Sequence, residues 1–210
     1  MLINAIIINR NLLTTLKHTV DFLEKEERIN NIYIIDNDST YPPLLEYYKN
    51  TPAGVHFLRA NYGPQHVWAS QFNCLRDADY YIVTDPDCTY DGVPSDWLDK
   101  MLAVREDKVG FSLEINDLPD TEIGKAAKAH ESKYWTVPHN HGWDAHIDTT
   151  FALYANGVRF GYDAIRLDRP YTIKHEPWYL DKDNISEEWR YYLENASPVS
   201  TWGHRLAKKL

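Results

Sequence analysis

Cysteine is almost missing from this sequence, with Cys74 and Cys88 the only two. Two thiols set no disulfide framework, so both are expected reduced, in a cytoplasmic protein. No apolar run approaches the ~20 residues of a membrane span, which makes a soluble chain the expectation. The opening MLINAIIINRN lacks a basic flank and a small-residue cleavage site. It reads as a buried first strand rather than a signal peptide. Glycine is absent from the turn where many nucleotide enzymes need it. The first strand runs into INRNLLTTLKH, which excludes the dinucleotide fingerprint of dehydrogenases and the Gly-Lys-Ser/Thr phosphate loop. The same absence weighs against nucleotidyltransferases, which usually carry a Gly-rich basic loop there and stay as an alternative reading. Positive charge is scarce too: 22 Lys and Arg stand against 31 Asp and Glu, for a net charge of −9. That balance argues against a nucleic-acid partner. Arg205, Lys208 and Lys209 form the one basic cluster at an end. They are expected to be a solvated tail with at most a peripheral membrane contact.

What the chain does contain is apolar and aromatic. Its 210 residues suit one domain, and 43% hydrophobic residues suffice for a core. The 7 Trp and 15 Tyr exceed what packing alone needs and can stack on bases or sugar faces. Strands are expected at 3–8, 32–35, 55–58 and 80–84, alternating with helices at 12–24, 43–50 and 66–75. This alternation predicts right-handed βαβ units. The fold class is therefore α/β, an open, mostly parallel central sheet with helices on both faces. The second half is less regular. It reads as helices at 97–104, 121–131 and 186–196, the last capped by Ser186, and strands at 109–115, 149–154, 164–167 and 171–174. The whole of 1–210 is taken as one domain, with a nucleotide-binding half (1–100) and an acceptor half (101–210).

Ligands of such sheets sit beyond the carboxyl ends of the strands. Polar clusters fall at those ends: Asn9–Asn11, Asp36–Ser39, Arg59–Gly63 and Asp85–Asp87. Asp85-Pro86-Asp87 carries the chemistry. Two carboxylates leaving a buried strand together suit Mg²⁺ or Mn²⁺, hard cations that keep sites open for substrate phosphates. By itself the triplet reads as a solvated turn, because Asp and Pro are turn residues; its place after YYIVT turns the reading to metal.

The stretches IIDNDST, RANYGP and YYIVTDPDCTY, in that order, resemble GT-A fold glycosyltransferases of the family-2-like type. The shorter segments IDTTFALY and IKHEPWYLD are similar to parts of small bacterial and viral members. The resemblance implies a glycosyltransferase using a nucleotide diphosphate sugar, with uridine the usual base, and a glycan or other hydroxyl acceptor. It implies that Asn9 and Arg10 line the base or ribose pocket. Asp38 then accepts from the base, with Asp36 the alternative; both also read as turn or cap residues. Arg59 and Asn61 lie beside the nucleotide, and Gly63 lets the backbone approach it. Asp87 is the metal ligand, and Asp85 a donor contact or second ligand. The late His175 is a further ligand, and Lys174 should point away from it.

For the base, Asp148 is the first choice and Asp144 the second, the latter alternatively holding donor-sugar hydroxyls. Inverting transfer needs such a carboxylate at the acceptor hydroxyl. The Glu-Asp pair that many members use is not present at its expected place. The histidines His139, His141 and His146 match no closed zinc spacing. The HGW segment is read as a lid over the donor, and Trp178 as packing.

Overall fold

The computed structural model describes residues 1–181 and 183–199. The basic cluster at Arg205, Lys208 and Lys209 lies outside the described residues.

The first four sheet strands are β1 (Ile3–Asn9), β2 (Ile29–Asp36), β3 (Gly54–Phe57) and β4 (Tyr80–Thr84). They lie in the order β3-β2-β1-β4, all parallel. β1 is apolar nearly throughout because both its faces are covered. Ile3, Ala5 and Ile7 point into one core and Ile6 and Ile8 into the other. Helices α1 (Thr14–Glu24), α2 (Pro42–Tyr47) and α3 (Trp97–Val104) cover the first face with Leu16, Val20, Leu44, Leu98 and Met101. Each such fully buried aliphatic side chain contributes about 1.5–3 kcal/mol.

The opposite face is covered differently from the expected α-helix at 66–75. Two 3₁₀ segments occupy it, Pro64–Trp68 and Ser70–Arg76, burying Val67, Trp68, Phe72 and Leu75. Ala69, between them, is extended (ψ 148°), which breaks the helical path.

The second half adds β5 (Cys88–Thr89), β6 (Lys108–Leu113), α4 (Glu122–Glu131), β7 (Pro138–His139), β8 (Gly142–Asp144), β9 (Phe151–Ala155), β10 (Ile165–His175) and α5 (Glu187–Glu194). The main sheet continues β4-β9-β6-β10-β8-β7. β9 runs against both β4 and β6, while β6 and β10 run with the first four strands. The two strands expected at 164–167 and 171–174 are one, β10, whose pairing with β6 skips from Leu167 to Thr172 around a cis Arg169–Pro170 bond. The HGW segment is not a lid. Gly142 pairs with Leu167 and Trp143 with Arg166, so it is a sheet strand. A Cβ on Gly142 would lie 2.1 Å from the Arg166 carbonyl oxygen, which explains the glycine.

Ser186 does cap α5, its hydroxyl accepting from Trp189 N at 3.2 Å. The first helix has no cap of its own. Glu188 of α5 supplies one, accepting from Leu13 N at 2.6 Å and from the Thr14 hydroxyl at 2.6 Å. Among the described residues no helix is long and apolar enough to cross a membrane.

Candidate functional site

The pairing registers bring five chain segments to one edge of the sheet. β1, β4, β6 and β10 all exit there, because they run the same way. β9 enters there, because it runs opposite, with Thr84 beside Phe151. So the residues after β1 and β4, those before β9, and the end of β10 share one cleft of about 360 Å³. Asn9, Arg10, Asn61, Gly63, Asp85, Asp87, Asp148 and His175 all line it.

Asp85-Pro86-Asp87 leaves β4 and turns into the short strand β5. β5 pairs antiparallel with the end of β10, Cys88 opposite His175. That pairing sets His175 Nε2 3.4 Å from Asp87 Oδ2. The Glu176 N–H also donates to the Asp87 carbonyl at 2.8 Å. Asp85 faces a different partner, the Thr149 hydroxyl, which donates to its Oδ2 at 2.9 Å.

Among the described residues, acidic charge accumulates in this corner. Burial raises the pKa of Asp85 well above the usual carboxylate range, and the charges of Asp87 and Asp148 push it further. Glu176 is raised too, by burial and then by Asp87. Burial works against the imidazolium of His175, but Asp87, Asp148 and Glu131 outweigh it and raise its pKa. Among the described residues none donates a hydrogen bond to the buried Asp87 Oδ1. An unmatched carboxylate oxygen beside an imidazole, in surplus negative charge, fits a divalent cation. Among the described residues no three His, Cys, Asp or Glu side chains converge as a ready-made cluster. Asp87 and His175 are the close pair, while Asp85 is bonded to Thr149. His139, His141 and His146 likewise form no such cluster among the described residues, and of the three only His146 lines the cleft.

At the β1–β2 end of the cleft, Asn9 is fully buried and donates to Leu12 O at 3.0 Å and to the Tyr48 hydroxyl at 2.8 Å. Tyr48 in turn donates to Asp36 Oδ2 at 2.9 Å, and Asp36 Oδ1 accepts from Ser39 N at 3.0 Å. Both oxygens of Asp36 thus serve the turn after β2, and it does not reach the cleft. Nor do Asp38 and Arg59, which are exposed, with φ of 65° and 56°. Their loops swing these side chains outward. Asn37, between the two aspartates, lines the cleft instead. Its side chain accepts from Tyr62 N at 3.2 Å and so ties the turn to the Asn61–Gly63 loop. Gly63 has φ 81°, a backbone shape that suits glycine, and a Cβ there would lie 2.7 Å from Val199 Cγ1. Arg10 donates from Nη1 to Asn195 O at 2.7 Å.

On the other side, Asp148 is exposed in the turn before β9. Its Oδ1 accepts from Thr150 N at 3.0 Å and from the Thr150 hydroxyl at 2.5 Å. Asp144, the second candidate base, sits on β8 outside the cleft, paired opposite Ile165. Lys174 pairs with Asp117, away from His175. Trp178 is 2% exposed and belongs to the core. Sequence reasoning missed the buried pair of Glu131 and Arg166, which lines this wall with Tyr134 and Tyr162. No local pattern marks a pair 35 positions apart. Thr149 and Thr150 were within reach, being hydroxyls next to a candidate base.

No family model matches the chain, and no curated protein matches it. Solved structures do. The chain is similar to a mannosyltransferase, PcManGT from Pyrobaculum calidifontis, solved with GDP-Man and Mn²⁺: TM-score 0.53, 14% identity, 91% of this chain and 59% of that one. It is also similar to TarS from S. aureus: TM-score 0.51, 12% identity, 100% of this chain and 42% of that one. The chain thus spans about half the length of these proteins. At such identities the likeness is one of fold, and the fold is GT-A: a mostly parallel mixed sheet flanked by helices.

Proposed function

Starting from that shared GT-A fold, we propose that this chain is a metal-dependent glycosyltransferase. It moves a sugar from a nucleotide diphosphate sugar, with uridine as the expected base, to an acceptor hydroxyl with inversion. The observation that carries the reading is the corner where Asp87, with a buried carboxylate oxygen lacking a partner, meets His175 in surplus acidic charge. Asp87 and His175 would hold Mn²⁺ or Mg²⁺, with Asp85 as a donor contact or outer partner. Bound there, the ion acts as Lewis acid toward the departing diphosphate. Asn9, Asn37, Asn61 and Gly63 line the end of the cleft assigned to the nucleoside. Asp148 takes the proton from the acceptor hydroxyl while that oxygen attacks the anomeric carbon. The bond from that carbon to the diphosphate oxygen breaks, and the electron pair leaves with the diphosphate.

The test is a panel of nucleotide sugars titrated calorimetrically with Mn²⁺ and with chelator, followed by slow donor hydrolysis. The expected result is binding and hydrolysis of at least one donor, both lost with chelator and in Asp87→Ala, while that variant keeps its fold by circular dichroism. Metal-independent donor turnover in Asp87→Ala would overturn the reading.

A further inference from the structure

The connection 145–150 carries Asp148, and His146, Asp148, Thr149 and Thr150 line the cleft. Three successive carbonyls of the same stretch turn the other way and accept from two buried cations. Arg166 of β10 donates from Nε and Nη2 to His146 O at 2.9 and 2.5 Å. Lys108 of β6 donates from Nζ to Ile147 O at 2.6 Å and to Asp148 O at 3.4 Å. The ammonium also donates to Gly161 O at 2.6 Å, in the connection from β9 to β10. An ammonium has three N–H donors, and here they meet three carbonyls from two connections. The Thr149 hydroxyl, next along from Asp148, reaches Asp85 at 2.9 Å. This stretch of backbone therefore spans the gap between the proposed base and the donor corner.

A lysine is an expensive residue to keep at this place. All six residues of β6 are buried, and Lys108, at its start, is 3% exposed. It stands opposite Tyr154 of β9, with its ammonium 5.0 Å from the centre of that ring and 5.9 Å from that of Phe160. Burial pushes its pKa down to about 8, with Arg166 acting in the same sense and Asp148 and Asp163 opposing. Methionine would fill a similar volume without burying a charge. What it lacks is the N–H donors that hold Ile147 and Asp148 by their carbonyls.

We propose that Lys108 is a positioning residue for sugar transfer, its ammonium seating the backbone beneath Asp148 and so aiming that carboxylate at the acceptor hydroxyl. This rests on the glycosyl-transfer reading with Asp148 as base, and the experiment separates the two. Parent, Lys108→Met, Lys108→Gln and Lys108→Arg are compared at neutral pH with Mn²⁺. The donors are UDP-glucose, UDP-galactose, UDP-N-acetylglucosamine and GDP-mannose, with water in the acceptor's place. Calorimetry gives donor affinity, hydrolysis gives kcat, and hydrogen–deuterium exchange reports on the 145–150 amides.

For the best donor, kcat is expected to fall about tenfold or more in Lys108→Met, because a misplacement of about 1 Å can cost about 10² in rate. Donor Kd should stay within about threefold, since the β5–β10 pairing that sets Asp87 beside His175 does not involve Lys108. Exchange at 145–150 should quicken while that of β4 holds. Lys108→Arg, which keeps charged donors, should recover kcat above that of Lys108→Met. Lys108→Gln is one atom shorter and carries the same comparison should the methionine variant not fold. On an Asp148→Asn background, Lys108→Met should cost no further rate, because the group it aims is gone. A parent-like kcat in Lys108→Met, unchanged exchange at 145–150, or a kcat loss matched by equal loss of donor affinity overturns the role of Lys108 and leaves the transfer reading standing. So does a further full loss of rate on the Asp148→Asn background, or Lys108→Arg no faster than Lys108→Met. Absence of donor binding and of donor hydrolysis in the parent overturns both.

Discussion

Replacing Asp148 by asparagine isolates its proposed proton-taking role from everything else that residue does. Its Oδ1 holds the Thr150 N–H at 3.0 Å and hydroxyl at 2.5 Å, and an amide oxygen of the same shape accepts both. The turn before β9 is therefore expected to stay in place. What disappears is a base and a negative charge. A positioned general base accounts for roughly 10²–10⁴ in rate, or about 2.7–5.4 kcal/mol of barrier. The lost charge works the other way at the metal corner. Asp148 is one of the groups that raise the Asp85 pKa, so its removal eases ionisation of Asp85. Donor and metal affinity should therefore hold or improve while transfer collapses. Single-turnover transfer of a labelled donor sugar gives the rate, and calorimetry with Mn²⁺ gives donor affinity. A variant that transfers within threefold of the parent, or one that loses rate only through weakened donor binding, refutes the assignment of the base.

Three further outcomes concern the scaffold. Glu188→Ala removes the shared cap at the start of α1, where one carboxylate serves Leu13 N, Thr14 N and the Thr14 hydroxyl. A loss of about 2 kcal/mol in urea unfolding is expected, near the upper end for caps because the acceptor is charged and nearly buried. The Arg169 guanidinium, bonded to Glu114 at 2.8 and 2.9 Å, holds that carboxyl down at about 2. Because the folded value is depressed, this stabilisation is complete above the ordinary value of 4.5 and fades as pH falls toward 2. Glu114→Gln should cost about 1 kcal/mol at neutral pH, since solvent screens the pair. Its unfolding curves should also lose part of their acid dependence between those values. Gly142→Ala drives a Cβ into the Arg166 carbonyl, and a drop of about 2 kcal/mol or more in stability follows as β8 is pushed off β10.

Runs such as AIII in β1 and YIVT in β4 announce strands buried on both faces, and their exits mark the site; this much was legible in the sequence. The DPD triplet and Asp148 stand out by their place relative to such runs and His175 through the family resemblance, and the pairing of β5 with β10 supplies the contact between Asp87 and His175. Less was legible where tertiary contacts decide. VWASQF has helical spacing of apolar residues, yet an extended Ala69 divides it into two 3₁₀ segments. In DNDST the aspartates carry the family-like signal. Backbone geometry nevertheless turns Asp36 inward and Asp38 outward, which leaves Asn37 at the cleft. The Glu131–Arg166 pair joins a helix to a distant strand, so nothing in either local sequence announces it.

The reversed direction of β9 places the two halves of the proposed site on opposite kinds of loop. The residues proposed for metal and donor follow strand exits, whereas the proposed base precedes a strand entry, on the short connection 145–150 from β8. If the proposed roles hold, rewriting 145–150 changes the acceptor side alone, because the register of Thr84 with Phe151 anchors the opposite corner independently of that loop.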